Sequence, residues 1–573
     1  MRVFMLTDFV EETLAPKLRG GYYTPPAIAR FLAEWVVQCP TDTVLEPSCG
    51  DGELVTAAAR RLLHLGATPC AVGKQIRATE LFESEAYQAR QRLAHFGVDA
   101  EQVVHTGDFF EALGPATGLN FSGSGHLYDT TFDAVIGNPP FIRYQTFPEE
   151  QRQRAFQEMQ QAGLNPSRLT NAWVPFLIAS AQRLKLTGRL AMVIPAELLQ
   201  VGYAAETRAY LARYFSAITI ITFRKLVFEG IQQEVVLLLA ERGETAAHVI
   251  DVLEFDDGTA LADLAHRVEA HRSHKPLITA KEKWTLYFLE SKEIELVQLL
   301  AARADIPKLG DLAKVEVGVV TGNNNFFVQR EADIIARGLR QYVIPLAGRT
   351  AQLPGLVYTA DEHAAQRHTN AGCWLLQFPS SSHELLSGEA QHYIRIGEAG
   401  KVHTGYKCRI RPAWYAVPSI WVPDAFLYRQ IYRAPKLVAN LAGATSTDTV
   451  HRVRLRQPLD VTQLAASFSN VLTFAFAEIV GRSYGGGVLE LEPREALHLP
   501  IPFFTDVKLD VAELDALERA GKTDAILAIT SRLLHDKLGL DKSDQNRLDT
   551  IWRKFSERRL GRKAGPRKNQ DAF

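Results

Sequence analysis

Ala134-Val135-Ile136-Gly137-Asn138-Pro139-Pro140-Phe141-Ile142 is the stretch on which the fold of this chain turns. The apolar run Phe132 to Ile136 predicts a buried strand of a parallel sheet. It stops at Gly137, and two prolines then hold the backbone in a rigid, extended turn. The turn places an amide side chain, a carbonyl with no N–H beside it and an aromatic ring at the carboxyl edge of a sheet. Such a set suits a planar amine: two acceptors for its two hydrogens and a ring for its flat body.

Upstream, three strand-like runs each end in an acid. Thr43-Val-Leu-Glu46-Pro-Ser-Cys-Gly50-Asp-Gly52 reads as strand, tight glycine turn and then a helix from Leu54 to Leu65. Glycines let a ligand approach the backbone, and the helix start offers free N–H groups. Glu46 and the missing third glycine favour S-adenosylmethionine over a dinucleotide. Ile76-Arg-Ala-Thr-Glu80 and Val103-Val-His-Thr-Gly-Asp108 follow, their acids 34 and 28 residues further along. Glu80 suits two ribose hydroxyls. Asp108 suits an adenine amino group, with Leu81 and Phe109 sandwiching the ring. Before them, Thr24-Pro25-Pro26 predicts a helix with Thr24 as N-cap, continuing through Ile28, Phe31, Leu32, Trp35 and Val36. After them, alternating helical and apolar runs continue to Ala240. Phe228 lies in the Leu226–Gln233 loop and is expected on the same face as Phe141.

These features fit motifs in a fixed order. Residues 20–240 resemble the catalytic domain of the γ-class amino-DNA methyltransferases, the TaqI-methyltransferase-like modification enzymes. Thr24-Pro-Pro resembles motif X, Glu46 to Gly52 motif I, Glu80 motif II, Asp108 motif III, Asn138-Pro-Pro-Phe141 motif IV and Val227-Phe228 motif VIII. The resemblance implies a Rossmann-like α/β fold with a C-terminal α+β target recognition domain, and S-adenosylmethionine as methyl donor without a metal. It implies cofactor contacts at Thr24, Glu46, Gly50, Gly52, Glu80, Leu81, Asp108 and Phe109. Asn138 and the Pro139 carbonyl would receive the amine hydrogens, and Phe141 and Phe228 would stack on a flipped base. Phe141 stands where tyrosine is frequent, so a hydroxyl contact is missing. The expected reaction is N6 methylation of adenine in double-stranded DNA, with cytosine N4 methylation the nearest alternative. A protein glutamine-N5 methyltransferase would resemble the first half alone, and a non-catalytic DNA-binding specificity module would keep the fold without the intact Asn138–Phe141 motif and the three acids.

Composition sets the outer bounds. At 573 residues the chain exceeds one core, so two or more domains are expected. An apolar fraction of 46% with 23% charged residues is globular. No apolar run of membrane-spanning length occurs, and Asp8, Glu11 and Glu12 do not suit a signal peptide. Five scattered cysteines without CxxC spacing suit a reducing cytoplasm and no structural zinc. With a net charge of −1, any preference for polyanions must lie in the distribution of charge.

That distribution points to the second half. Residues 401–456 hold ten Lys/Arg against two acids, interleaved with Trp414, Tyr415, Trp421 and other aromatics, a pattern suited to nucleic acid. Val317-Gly-Val-Val-Thr-Gly322-Asn-Asn-Asn325 and Arg482 to Glu492 are glycine loops beside apolar strands. The expected division is 1–245 catalytic, 246–285 connecting, 286–545 target recognition and 546–573 a basic tail. No nuclease motif is present, so any restriction endonuclease would be a separate protein. The enzyme is expected to act as a monomer.

Overall fold

The computed structural model describes residues 23–113, 130–225, 227–228, 234–246, 249–261, 264–265, 267–277, 283–380, 385–483 and 486–561. The chain divides into two units, 1–288 with 561–573, and 289–560.

The first unit is built on a nine-stranded sheet. Its strands are β1 (Val44–Glu46), β2 (Ile76–Glu80), β3 (Val104–Thr106), β4 (Phe132–Gly137), β5 (Leu184–Pro195), β6 (Ala217–Phe223), β7 (Val235–Glu241), β8 (Val249–Phe255) and β9 (Lys275–Pro276). They lie in the order β3-β2-β1-β4-β5-β7-β6-β8-β9. The first five are parallel neighbours, and β7 is inserted antiparallel between β5 and β6. Helices cover the sheet, which is why β4 is apolar on both faces and nearly all buried. The chain winds outward through β1, β2 and β3, then returns to the other side of β1 as β4. Strand order therefore reverses between β1 and β4, and a ligand crevice opens outside the carboxyl ends of strands at such a reversal. Glu46 ends β1, and Asn138 follows β4 by one residue.

Two sequence expectations need correction here. Thr24 is not the N-cap: the helix runs Pro26–Val36 with Pro25 at the cap position and no side-chain cap. Its buried stripe is still Ile28, Phe31, Leu32, Trp35 and Val36. The polar stretch 246–285 is not merely a connection, since β8 pairs with β6 from Ile218↔Ile250 to Phe223↔Phe255. The buried carboxylate of Asp251 in that strand accepts the N–H groups of Ser273 and His274 at 2.6 and 2.7 Å.

The second unit is mixed α and β. A five-stranded sheet runs Ala313–Glu316, Val450–Leu455, Ala425–Tyr428, Leu437–Asn440 and Val357–Tyr358 in spatial order. Two three-stranded sheets and a helical segment from Val461 onward complete it. The predicted tail begins as structure: Lys542–Leu560 is a helix with Ile551, Trp552, Phe555 and Arg559 buried. Arg559 pairs with Glu478 at 2.6 Å, both nearly inaccessible to solvent. Residues 562–573 lie outside the described residues. Among the described residues no single helix is long and apolar enough to cross a membrane.

Candidate active site

At the strand reversal a pocket of about 310 Å³ opens, within the size range of small-ligand sites. It is lined by Thr24, Glu46, Gly50, Glu80, Leu81, Asp108, Phe109 and Asn138, eight residues proposed from sequence.

The floor is the turn after β1. Gly52 has φ +91°, and a Cβ there would lie 2.6 Å from Ala89 Cα. Only glycine lets the Glu53–His64 helix start so close to the Glu83–Ala94 helix. The turn is tied to β2, with Cys49 N–H donating to the Thr79 carbonyl at 2.9 Å and the Thr79 hydroxyl to the Pro47 carbonyl at 2.6 Å. Asp51 and Glu53 both pair with Arg92.

The three strand-end acids face this space in different states. Glu46 is buried, and its Oε2 has no hydrogen-bond partner within the described residues. Burial first, then the nearby Asp51 and Glu80, push its carboxyl well above the ordinary glutamate range. An unpartnered buried carboxylate facing a pocket suits a ligand ammonium. Each Glu80 oxygen accepts a backbone N–H at 2.9 Å, Oε2 from Gly50 and Oε1 from Phe82. Burial raises its pKa, and these two donors oppose the rise. Each oxygen keeps a second lone pair for a hydroxyl. Asp108 caps a short helix through Phe110 N–H at 3.1 Å and pairs with Arg154 at 3.3 Å. Burial raises its pKa against those two contacts. The Asp108 carboxylate is thus engaged on both oxygens before any ligand is considered.

The far wall is aromatic. Phe109 stacks on Phe176, with centroids 5.6 Å apart and planes 14° apart, and Phe110 meets Phe176 edge-on at 4.6 Å. Leu81 is 44% exposed at the rim. Tyr23 closes the mouth, donating to Glu85 at 3.2 Å. Burial and Glu85 push the Tyr23 hydroxyl up to about 12. Tyr23, Glu85, Phe176 and the roof from Ile142 to Gln151 escaped the sequence reading. Phe147-Pro148-Glu149-Glu150 carried a signal for the roof, because proline followed by acids marks a helix start. The helix Glu149–Gln161 does begin there.

On the β4 side the Asn138 amide nitrogen donates to the Thr24 hydroxyl at 3.1 Å. The Thr24 side chain is thus turned from the helix start to the Asn138 turn. Pro140 and Ile142 line the pocket, whereas Pro139 is buried and Phe141 packs against the core. Phe228 is 6% exposed and sits in that same core, against which Phe141 packs, and neither ring lines the pocket. Its loop neighbours 229–233 lie outside the described residues.

The donor set therefore fits S-adenosylmethionine: an orphaned buried carboxylate for a cation, acceptors for a ribose and an aromatic slot for a purine. Among the described residues no group of His, Cys, Asp and Glu is placed to hold a metal ion.

Comparison with known proteins agrees. Residues 281–534 match the C-terminal domain family of the type II methyltransferase M.Eco57I. The type II methyltransferase M.XamI of Xanthomonas campestris pv. amaranthicola is 25% identical over 494 residues, 84% of this chain and 85% of that protein. M.AccI of Acinetobacter calcoaceticus is 21% identical over 500 residues, 83% of each. Among solved structures, a nuclease-deletion mutant of the Type ISP restriction-modification enzyme LlaGI with a DNA substrate mimic superposes at TM-score 0.51 and 11% identity. It covers 88% of this chain and 47% of that one, a likeness of fold alone. Residues 3–307, more than half of the chain, match the N-6 DNA Methylase family, and the chain belongs to that family of DNA methyltransferases.

Proposed function

We propose that this chain methylates adenine N6 in duplex DNA at a fixed sequence, as the modification enzyme of a type II restriction system. Its restriction endonuclease would be a separate protein. The observation that carries the reading is the Asn138–Pro139–Pro140 turn held against Thr24 beside the Glu46 pocket.

Bound S-adenosylmethionine would supply an electrophilic methyl group on its sulfonium. Glu46 would take the cofactor's ammonium, Glu80 the ribose hydroxyls and Asp108 the adenine amine, with Phe109 and Leu81 along that ring. Asn138 Oδ1 and the Pro139 carbonyl would accept the two hydrogens of the target amine. That demand pyramidalises the nitrogen and aims its lone pair, otherwise delocalised into the ring, at the methyl carbon. Positioning in a water-poor site supplies most of the acceleration. The base must first leave the helix, at about a few kcal/mol of lost stacking. The Phe141 ring would offset part of that cost once the turn meets the base. Residues 1–288 would carry the chemistry and 289–560 the reading of the target.

The test is single-molecule sequencing of DNA from a methylation-free host expressing the chain. N6-methyladenine at one recurring sequence is expected. N4-methylcytosine would overturn the adenine assignment, and unmodified DNA would overturn the enzyme reading.

A further inference from the structure

The second unit holds a groove lined by Val320 of the Val317–Asn325 glycine loop, by residues 377–380 and by part of the acid-free stretch 401–423. Its volume is about 710 Å³, and Val320, Gln377, Phe378, Lys407, Ile410 and Arg411 are among its lining residues. Four Lys/Arg and no Asp or Glu lie in 401–423.

Side-chain to backbone contacts tie the groove's loop to its wall, and among the described residues no carboxylate pairs with Lys407 or Arg411. A Cβ on Gly318 would lie 1.9 Å from the Thr447 carbonyl oxygen, so the loop enters by a route only glycine allows. Arg411 then ties the loop to the far wall, its Nη2 donating to the carbonyls of Val320 at 3.0 Å and Thr321 at 2.8 Å. Arg452 does the same one step back, through the carbonyls of Val317 at 3.1 Å and Ser419 at 2.7 Å. Arg411 is held by carbonyls and keeps its full charge, whereas Arg452 also lies 4.0 Å from the Glu316 carboxylate. Lys407 and Ile410 line the groove and are exposed, and Arg409, exposed as well, lies between them in sequence. Trp421 lies between the guanidiniums of Arg452 and Arg454, at 4.4 and 4.0 Å from its ring centre. Arg454 is exposed and faces Lys314 across the strand pair, beside Glu316 opposite Arg452.

Fixed backbone, unneutralised cations and a partly apolar floor suit a polyanion strand that lays sugars on the floor and phosphates on the rim. We propose that this groove holds the sugar–phosphate backbone of one strand of the DNA duplex, with Lys407, Arg409 and Arg411 on its phosphates. The proposal rests on the reading of the chain as a DNA methyltransferase and names the surface of the second unit that engages the substrate.

Lys407→Ala/Arg409→Ala in the full chain tests it, because both side chains are exposed and neither holds the loop. Binding to a labelled mixed-sequence duplex is followed by anisotropy across a salt series. Each lost phosphate contact should lower the slope of log affinity against log salt by about 0.9. Lys292→Ala, an exposed lysine elsewhere in the unit, should leave the slope unchanged. Ile410→Glu should weaken binding about tenfold at low salt, by adding a carboxylate where phosphate would lie. Unchanged affinity and slope in these groove variants, beside a normal wild-type slope, would overturn the groove alone. A wild-type chain with no affinity for duplex would remove the underlying reading as well. Altered self-association of Ile410→Glu with unchanged DNA binding would assign the groove to a second copy and overturn the proposal.

Discussion

The amide nitrogen of Asn138 donates a hydrogen bond to the hydroxyl of Thr24 at 3.1 Å, joining two residues 114 positions apart. Thr24 is buried, so this bond has little competition from water. An amide whose nitrogen is committed in one direction presents its oxygen, the hydrogen acceptor, along the other edge. Thr24 would thereby set the sense in which Asn138 meets a substrate.

Thr24→Val keeps the shape and removes the acceptor. It should lower kcat about tenfold or more, as small misplacements in a reacting pair do, with little change in cofactor affinity. Thr24→Ser should restore most of the rate. A loss confined to cofactor affinity, with kcat unchanged, would assign Thr24 to the cofactor instead.

Glu46 should make cofactor uptake depend on pH. Burial, then Asp51 and Glu80, raise its folded pKa above the ordinary value of 4.5, and Cys49 is packed beside it. A raised acid keeps its proton to higher pH in the folded free protein than in the unfolded chain, so its contribution to stability is full below the ordinary value. That contribution is lost as pH climbs through the raised one. A cationic ligand favours the ionised form, so binding should release a proton and affinity should climb over that same window. Calorimetry in buffers of different ionisation heat should detect the released proton, and Glu46→Gln should abolish it. Equal proton release in both proteins would exclude Glu46 as the source.

Phe228 belongs to the core of the first unit. Phe228→Ala should cost about 3–5 kcal/mol, the usual range for removing a buried phenylalanine. Phe228→Trp should also destabilise, by overpacking. A 2-aminopurine probe at the target base should report normal flipping in whatever fraction remains folded. An unchanged melting temperature with a lost flipping signal would return Phe228 to base stacking.

Gly52 is where backbone conformation and space coincide. Gly52→Ala adds a methyl 2.6 Å from Ala89 Cα at φ +91°. Two helices must separate to admit it, so thermal stability and cofactor affinity should fall together. Ala89→Gly, opposite it, should recover part of both. If the double variant behaves as badly as the single one, strain at φ outweighs the contact.

How much of this was legible follows from where the determining contacts lie. Strand β4 and its turn were readable because both faces of a parallel strand are buried, leaving the apolar run Ala134–Ile136 before Gly137. The acids Glu46, Glu80 and Asp108 were readable as strand ends. The role of Thr24 was not, since its partner is 114 residues away and a threonine before Pro-Pro gives an equally good cap signal. Strand β8 was hidden by Asp251, whose burial is tolerable only because two N–H groups from Ser273 and His274 converge on it. The helix Lys542–Leu560 looked like a charged tail because Arg559 is buried against Glu478, a pairing invisible in local sequence. Phe228 could be read only as a ring near Phe141, because a phenylalanine in a glycine loop signals core and base stacking alike.

The central claim is that the Asn138 turn performs the transfer while the Glu46 side of the pocket holds the cofactor. Asn138→Ala tests it most directly, with tritium transfer from labelled S-adenosylmethionine to DNA measured beside calorimetric cofactor binding. Cofactor affinity should stay nearly unchanged while transfer falls by about a hundredfold or more, the scale for losing one polar group that acts on the reacting centre. Retained turnover in that variant would contradict the account.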